Sequence, residues 1–261
     1  MSALLRACHP APTVAVTVIA VTLGVGMSLR PSELLLVGVT VLVGQLSIGW
    51  SNDWLDAPVD AKVGRRDKPA ARGDVTPGTL RTAALTALVL AVPLSLLAGA
   101  AAGCAHLVLV ASGWTYNVWL KRTICSPLPY ALGFGSLPVY VALVGGVDVS
   151  SWLPVAGGLL GLAAHYANAA PDVEGDLRTG VRGMPQRVGP TASLVTSLAL
   201  LAAVGLLAAS QREADMWVWA VIVLAPPVVG VWLLVRGAWR SVFMVVMAAA
   251  LLDVAALIFA A

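Results

Sequence analysis

The chain has 261 residues, 59% of them hydrophobic and only 11% charged, where a water-soluble domain carries about 25% charged residues. A soluble fold would have too little polar surface, so the surplus apolar side chains are expected to face lipid in an all-α integral membrane protein. The net charge of +3 is too small to argue for nucleic acid, and three Cys and three His without metal-like spacing argue against a disulfide framework or a zinc centre.

A transmembrane helix takes about 20 mostly apolar residues. Hydropathy places nine, near 12–29, 34–54, 79–100, 102–120, 127–147, 152–172, 190–209, 216–235 and 240–260. The third and fourth nearly merge at residues 99–103, and a merger would leave eight. The first apolar run reads as an uncleaved helix, because no A-x-A-like site with a polar region beyond it follows. An odd count puts the N-terminus and the loops after helices two, four, six and eight on one side. Fourteen of the 16 Lys and Arg fall there, and only Arg30 and Arg212 fall on the other. By the positive-inside rule that side is cytoplasmic. No linker or soluble segment interrupts the pattern, so residues 1–261 read as a single transmembrane domain.

The two longest polar stretches both lie on this side. The first begins at residues 51–60, SNDWLDAPVD, where Asn52, Asp53, Asp56 and Asp60 stand at i, i+1, i+4 and i+8. On a helix these share one face, although Pro58 is expected to bend or unwind the last turn. Crowded carboxylates repel one another unless a cation neutralises them, and hard oxygen donors suit Mg²⁺. A basic run follows, with Lys62, Arg65, Arg66, Lys68 and Arg72. Acid followed by base fits a metal–phosphate complex, in which carboxylates hold the metal and cations hold phosphate oxygens. The bland alternative is a solvated loop of mixed charge.

The second stretch begins at residues 165–176, HYANAAPDVEGD. Asn168, Asp172 and Asp176 share a face if the helix survives Pro171 and Gly175, and Arg178, Arg182 and Arg187 follow. His165 stands one turn before Asn168, as a contact for substrate or an ordinary hydrogen-bonded helix residue. Two carboxylate sets can hold two or three Mg²⁺ around one diphosphate.

These residues resemble a known family. NDWLDAPVD is similar to the NDxxDxxxD motif of the UbiA superfamily of intramembrane prenyltransferases, and DVEGD to its DxxxD motif. The likeness continues through Lys68, Pro69 and Gly73, through YNVWLKR at residues 116–122, and to Gly180 and Gly189. Lys68 stands where the family usually has Arg, which keeps the charge and loses bidentate geometry. The resemblance implies a bundle of about nine helices around a central cavity. It also implies Mg²⁺-dependent transfer of a prenyl group from an isoprenoid diphosphate to an aromatic, quinone-precursor or other small-molecule acceptor. On that reading Asn52, Asp53, Asp56, Asp60, Asn168, Asp172 and Asp176 bind Mg²⁺ directly or through water. Lys62, Arg65, Lys68, Lys121, Arg122 and Arg182 neutralise the departing diphosphate. Asp56, Asp60, Asp172, Asp176 and Tyr116 carry the chemistry. Tyr116 stays open between stabilising a cation, bonding the diphosphate and serving as an interface aromatic.

Other readings share part of the pattern. A UbiA-type terpene cyclase would use the same diphosphate site and close the cation on its own chain. A CDP-alcohol phosphotransferase would need one continuous acidic run, where here the acids fall in two distant loops. A transporter would place ionisable groups near the bilayer midplane. Only Asp253 lies deep in a helix, where an acid is expected to face the interior and find a partner.

Overall fold

The computed structural model describes residues 2–63, 68–211 and 215–260. Among them no strand occurs, and nine helices run 17 residues or longer, in the order of the nine expected segments. Five are long and apolar enough to cross a membrane: Pro31–Ala61, Pro77–Leu96, Leu128–Gly145, Pro190–Ser210 and Met216–Val235. Many of their large apolar side chains are exposed, among them Val89, Leu96, Trp217, Val221 and Val228, as a lipid-facing surface requires.

The chain divides into two compact units. The first comprises Met1–Leu120 with Val139–Asp148. It holds α1 (Ala3–Arg6), α2 (Pro10–Gly26), α3 (Pro31–Val63), α4 (Pro77–Leu96), α5 (Ala100–Val118) and the second half of α6 (Leu128–Gly145). Prolines open α2, α3 and α4, where the missing N–H has no partner to lose. Thr76 caps α4 by accepting from the Thr79 N–H at 3.1 Å. The hairpin between α4 and α5 is short, as expected, and turns at Gly99, whose φ of 97° a side chain would resist. Within this unit α3 packs along α2, α4 and α5.

The second unit comprises Lys121–Pro138 with Val149–Ala261. It holds the first half of α6, then α7 (Trp152–Ala169), α8 (Val173–Arg178), α9 (Met184–Val188), α10 (Pro190–Ser210), α11 (Met216–Val235) and α12 (Trp239–Ala260). Here α10 is the central strut, packed on α7, α11 and α12. Gly157 and Gly161, one turn apart on α7, let its backbone close on α6. A Cβ at Gly161 would lie 2.3 Å from the Tyr130 carbonyl oxygen, and one at Gly157 2.5 Å from that of Phe134. Such small-residue stripes bring membrane helices together where no hydrophobic force can.

Two expectations about the helix ends need correction. The second long helix does not stop near residue 54 or unwind before Asp60, because α3 runs on through Pro58 to Val63. A proline removes one backbone bond and crowds one carbonyl, and the ring of Pro58 points outward at an exposed position. At 33 residues α3 is about 50 Å long, against a hydrocarbon core of about 30 Å. The helix is therefore long enough to extend beyond the apolar layer. The sixth long helix does not stay regular, since α7 stops at Ala169 and residues Ala170–Asp172 form a 3₁₀ turn around Pro171. Each 3₁₀ residue advances about 20° more than an α-helical one, so the expected stripe of Asn168, Asp172 and Asp176 drifts. Asn168 and Asp172 are exposed and Asp176 is half-buried.

Asp253 does point inward, at 1% exposure, with room made for it by Gly205. Its Oδ2 has no hydrogen-bond partner among the described residues.

Candidate diphosphate site

The end of α3 brings the first acidic cluster together in the first unit. Lys68, beyond the end of the helix, places its Nζ 2.9 Å from Asp53 Oδ1, 3.3 Å from Asp60 Oδ2 and 3.4 Å from Asn52 Oδ1. Three oxygens from three residues thus converge on one cation. Asp53 and Asp60 are buried, and Asn52 and Asp56 partly so. Burial alone would lower the Lys68 pKa, but Asp53 and then Asp60 and Asp56 outweigh it, and the ammonium is held above the ordinary lysine value.

Two residues that the motif spacing did not single out complete the cluster. His9 Nε2 lies 3.0 Å from Asp53 Oδ1. His9 is a non-glycine residue with φ of 55°, at the turn between α1 and α2. That conformation is uncommon and persists where the surroundings hold it. Those surroundings are visible. Trp50 Nε1 donates to the Leu4 carbonyl at 2.9 Å, Thr13 Oγ1 donates to that of Cys8 at 2.8 Å, and Arg6 pairs with Asp74 at 3.0 Å. Ala7, Val75 and Leu80 form a small apolar core beneath them, covered by Trp50 and Trp54. The amino-terminal segment is thereby strapped onto α3 and the loop after it.

The other residue is Asn117, buried at the end of α5. Its Nδ2 donates to the Ile48 carbonyl at 2.9 Å and to Ser51 Oγ at 2.8 Å. Its Oδ1 is therefore left to accept from Asn52 Nδ2, at 3.0 Å. This fixes the amide of Asn52 with its oxygen toward Lys68. The signal for Asn117 was a polar residue beside Tyr116 at the end of an apolar run. Asn117→Leu is expected to let the Asn52 amide rotate, lowering the affinity of the site for divalent cations by about fivefold or more, since one hydrogen bond contributes about 1 kcal/mol. Calorimetric metal titration of the purified variant checks this, and unchanged affinity would remove Asn117 from the site.

The residues fit a hard divalent cation in their chemistry. Two carboxylates and an amide oxygen already surround one positive charge, and Mg²⁺ ordinarily takes few protein oxygens and completes its shell with water and phosphate. No three His, Cys, Asp or Glu side chains among the described residues are arranged to hold a metal by themselves. Of the expected phosphate-binding cations, Arg65 and the side chain of Lys62 lie outside the described residues. Tyr116 is half-buried on α5, beside Asn117.

The second cluster lies in the second unit. Gln186 on α9 donates its Nε2 to Asp176 Oδ2 at 2.7 Å. Ser126 ties the same region together, with its Oγ 3.0 Å from His165 Nε2 and accepting from the Met184 N–H at 2.9 Å. His165 is thus a buried, hydrogen-bonded residue of α7. The space below is tight, since a Cβ at Gly183 would lie 2.8 Å from the Lys121 carbonyl oxygen. Lys121 is buried, whereas Arg122 and Arg182 are exposed.

The chain is similar in sequence and in fold to known proteins. The family model of the UbiA prenyltransferase family matches residues 13–243. Digeranylgeranylglyceryl phosphate synthase of Pyrococcus horikoshii is 28% identical over 164 residues, which cover 60% of this chain and 57% of that protein. The match thus spans little more than half the length of this curated relative. A UbiA homolog from Archaeoglobus fulgidus bound to GPP and Mg²⁺ has the same fold, with a TM-score of 0.75 at 16% identity over 100% of both chains. A UbiA homolog from the same organism bound to DMAPP and Mg²⁺ gives 0.73 at 18% identity over 99% of each.

Proposed function

Because the chain belongs to the UbiA prenyltransferase family, we propose that it transfers a prenyl group from an isoprenoid diphosphate to a small-molecule acceptor in the membrane, with Mg²⁺ at its acidic clusters. The observation that carries this reading is the convergence of Asn52, Asp53 and Asp60 oxygens on a single cationic point at the carboxyl-terminal end of α3. The match over most of the chain supports treating residues 1–261 as one transmembrane prenyltransferase domain. The basic-residue asymmetry supports a cytoplasmic N-terminus and cytoplasmic acidic loops.

Asn52, Asp53, Asp56 and Asp60 in the first cluster, and Asn168, Asp172 and Asp176 in the second, are the proposed metal-binding oxygens. Bound Mg²⁺ supplies charge neutralisation for a leaving diphosphate. Lys62, Arg65, Lys68, Lys121, Arg122 and Arg182 are proposed to add donors to its oxygens, where each well-placed donor contributes about 3–4 kcal/mol. The allylic C–O bond breaks, its electron pair leaves on the diphosphate, and the acceptor's nucleophile captures the carbon cation and then loses its proton. Apolar helix faces keep water from capturing that cation first. Tyr116 is proposed to border the reacting carbon. The motif resemblance favours an aromatic or quinone-precursor acceptor, and the name of the Pyrococcus relative adds a prenylated glyceryl phosphate as a second class.

Diphosphate release by the purified full chain tests the proposal, with geranyl, farnesyl and geranylgeranyl diphosphates, Mg²⁺ or EDTA, and both acceptor classes. Release is expected only with Mg²⁺ and is expected to vanish in the Asp56→Ala, Asp172→Ala double variant. A cyclised product formed without acceptor would assign the cyclase reaction instead. Metal-dependent binding of a donor without turnover would make the protein a carrier.

A further inference from the structure

Asp53 Oδ1 is a contested atom of the first cluster. A carboxylate oxygen offers about two acceptor directions. Lys68 Nζ at 2.9 Å and His9 Nε2 at 3.0 Å already fill both. A divalent ion binds such an oxygen at about 2.0–2.1 Å. With the ammonium still in place, the two positive charges would then be at most about 5 Å apart in a partly dehydrated site, where like charges repel strongly. The Lys68 side chain is 13% exposed and also spans Asp60 Oδ2 and Asn52 Oδ1, so its position is built into the fold and is not a surface encounter.

We propose that Lys68 is a resident counter-cation of the first acidic cluster, which a divalent ion displaces only when a diphosphate is present to receive the lysine. Metal and diphosphate then bind as a pair, and metal alone binds weakly. This deepens the reading given under Proposed function and rests on it. The residue type suits the role. A lysine ammonium is a compact point charge on a flexible four-carbon stem and can exchange one anionic partner for another, whereas the planar fork of arginine favours one fixed bidentate partner. Lys68 lies beyond the end of α3 at Val63, so a change of side-chain rotamer can carry its charge from the carboxylates toward a phosphate oxygen while the helix stays still. Part of the negative charge of the acidic cluster is meanwhile offset, which helps to hold it together without a metal.

The test is Mn²⁺ binding to the detergent-purified full chain, read from the free-ion electron paramagnetic resonance signal, with and without inorganic pyrophosphate at fixed free Mn²⁺. Lys68→Met is expected to bind Mn²⁺ alone at least about tenfold more tightly than the wild type, and to lose most of the gain that pyrophosphate gives the wild type. Arg72→Met is the charge control. It removes one positive charge from the same loop, where Arg72 pairs with Asp74 among the described residues, and is expected to change affinity less than about threefold. Lys68→Arg is expected to stay close to the wild type for metal alone. Lys68→Gln serves as the second neutral variant if Lys68→Met does not give a helical, monodisperse protein. Equal tightening in Lys68→Met and Arg72→Met, or an undiminished pyrophosphate effect in Lys68→Met, would overturn the counter-cation role while leaving the metal site intact. No Mn²⁺ binding in any protein, or binding untouched by Asp56→Asn, would overturn the proposed metal–diphosphate site and this inference with it.

Discussion

Asp53→Ala is expected to lower Mg²⁺-dependent diphosphate release by about 10²–10³-fold. It is also expected to lower unfolding stability by about 2–3 kcal/mol. The two effects have one origin. Asp53 is 2% exposed and accepts from both His9 and Lys68. Without it the largely buried ammonium keeps Asp60 at 3.3 Å and loses its nearest partner at 2.9 Å. His9, in its left-handed conformation, loses the contact that gives the amino-terminal strap its tie to the site. The rate loss follows because the cluster loses one of the carboxylates that converge on the cation. Initial rates of pyrophosphate release, beside thermal unfolding followed by helical circular dichroism in detergent, check both. A normal rate with lowered stability would make Asp53 a structural residue only.

Gly49→Ala is the second substitution with a large expected effect, and it acts through the backbone. A Cβ at Gly49 would lie 2.2 Å from the Cys8 carbonyl oxygen, 2.7 Å from its carbon and 3.0 Å from its Cα. These are main-chain atoms with no flexible side chain to yield, so α3 and the amino-terminal strap must separate. Separation strains the Thr13 bond to Cys8, the Trp50 bond to Leu4 and the His9 contact with Asp53. Overpacking of this kind costs about 1–3 kcal/mol. The variant is expected to melt earlier and to expose the strap to limited proteolysis. Gly78→Ala is the control, since the nearest atom to a Cβ there is Thr76 Oγ1 at 3.7 Å, an ordinary contact. Equal melting of both variants would show that the close approach of Gly49 to Cys8 contributes nothing.

The acidic clusters and their order along the chain were legible before any coordinates, because their signals are local. Carboxylates four residues apart share a helix face whatever the helix packs against, and an apolar run of about 20 residues announces a membrane helix by composition. The family likeness rode on the same short spacings. The ends of the helices were less legible. Pro58 and Pro171 carry the same breaking tendency, yet α3 continues through one while α7 gives way to a 3₁₀ turn at the other. A proline weakens one backbone bond, and the packing on either side decides whether the helix survives it.

The partners inside the site were not legible at all. Nothing in the spacing of His9 or Asn117 ties them to residues 44 and 65 positions away. Lys68 read as one of a run of basic residues suited to phosphate, and the fold instead seats it on the carboxylates it follows. From its sequence alone this protein is a helical membrane protein of the UbiA type with two acidic clusters, since hydropathy and residue spacing survive any packing. Tertiary structure alone decided which oxygens meet, which amide end faces the cation and which lysine is buried among acids, because those depend on distances between segments that the chain order leaves free.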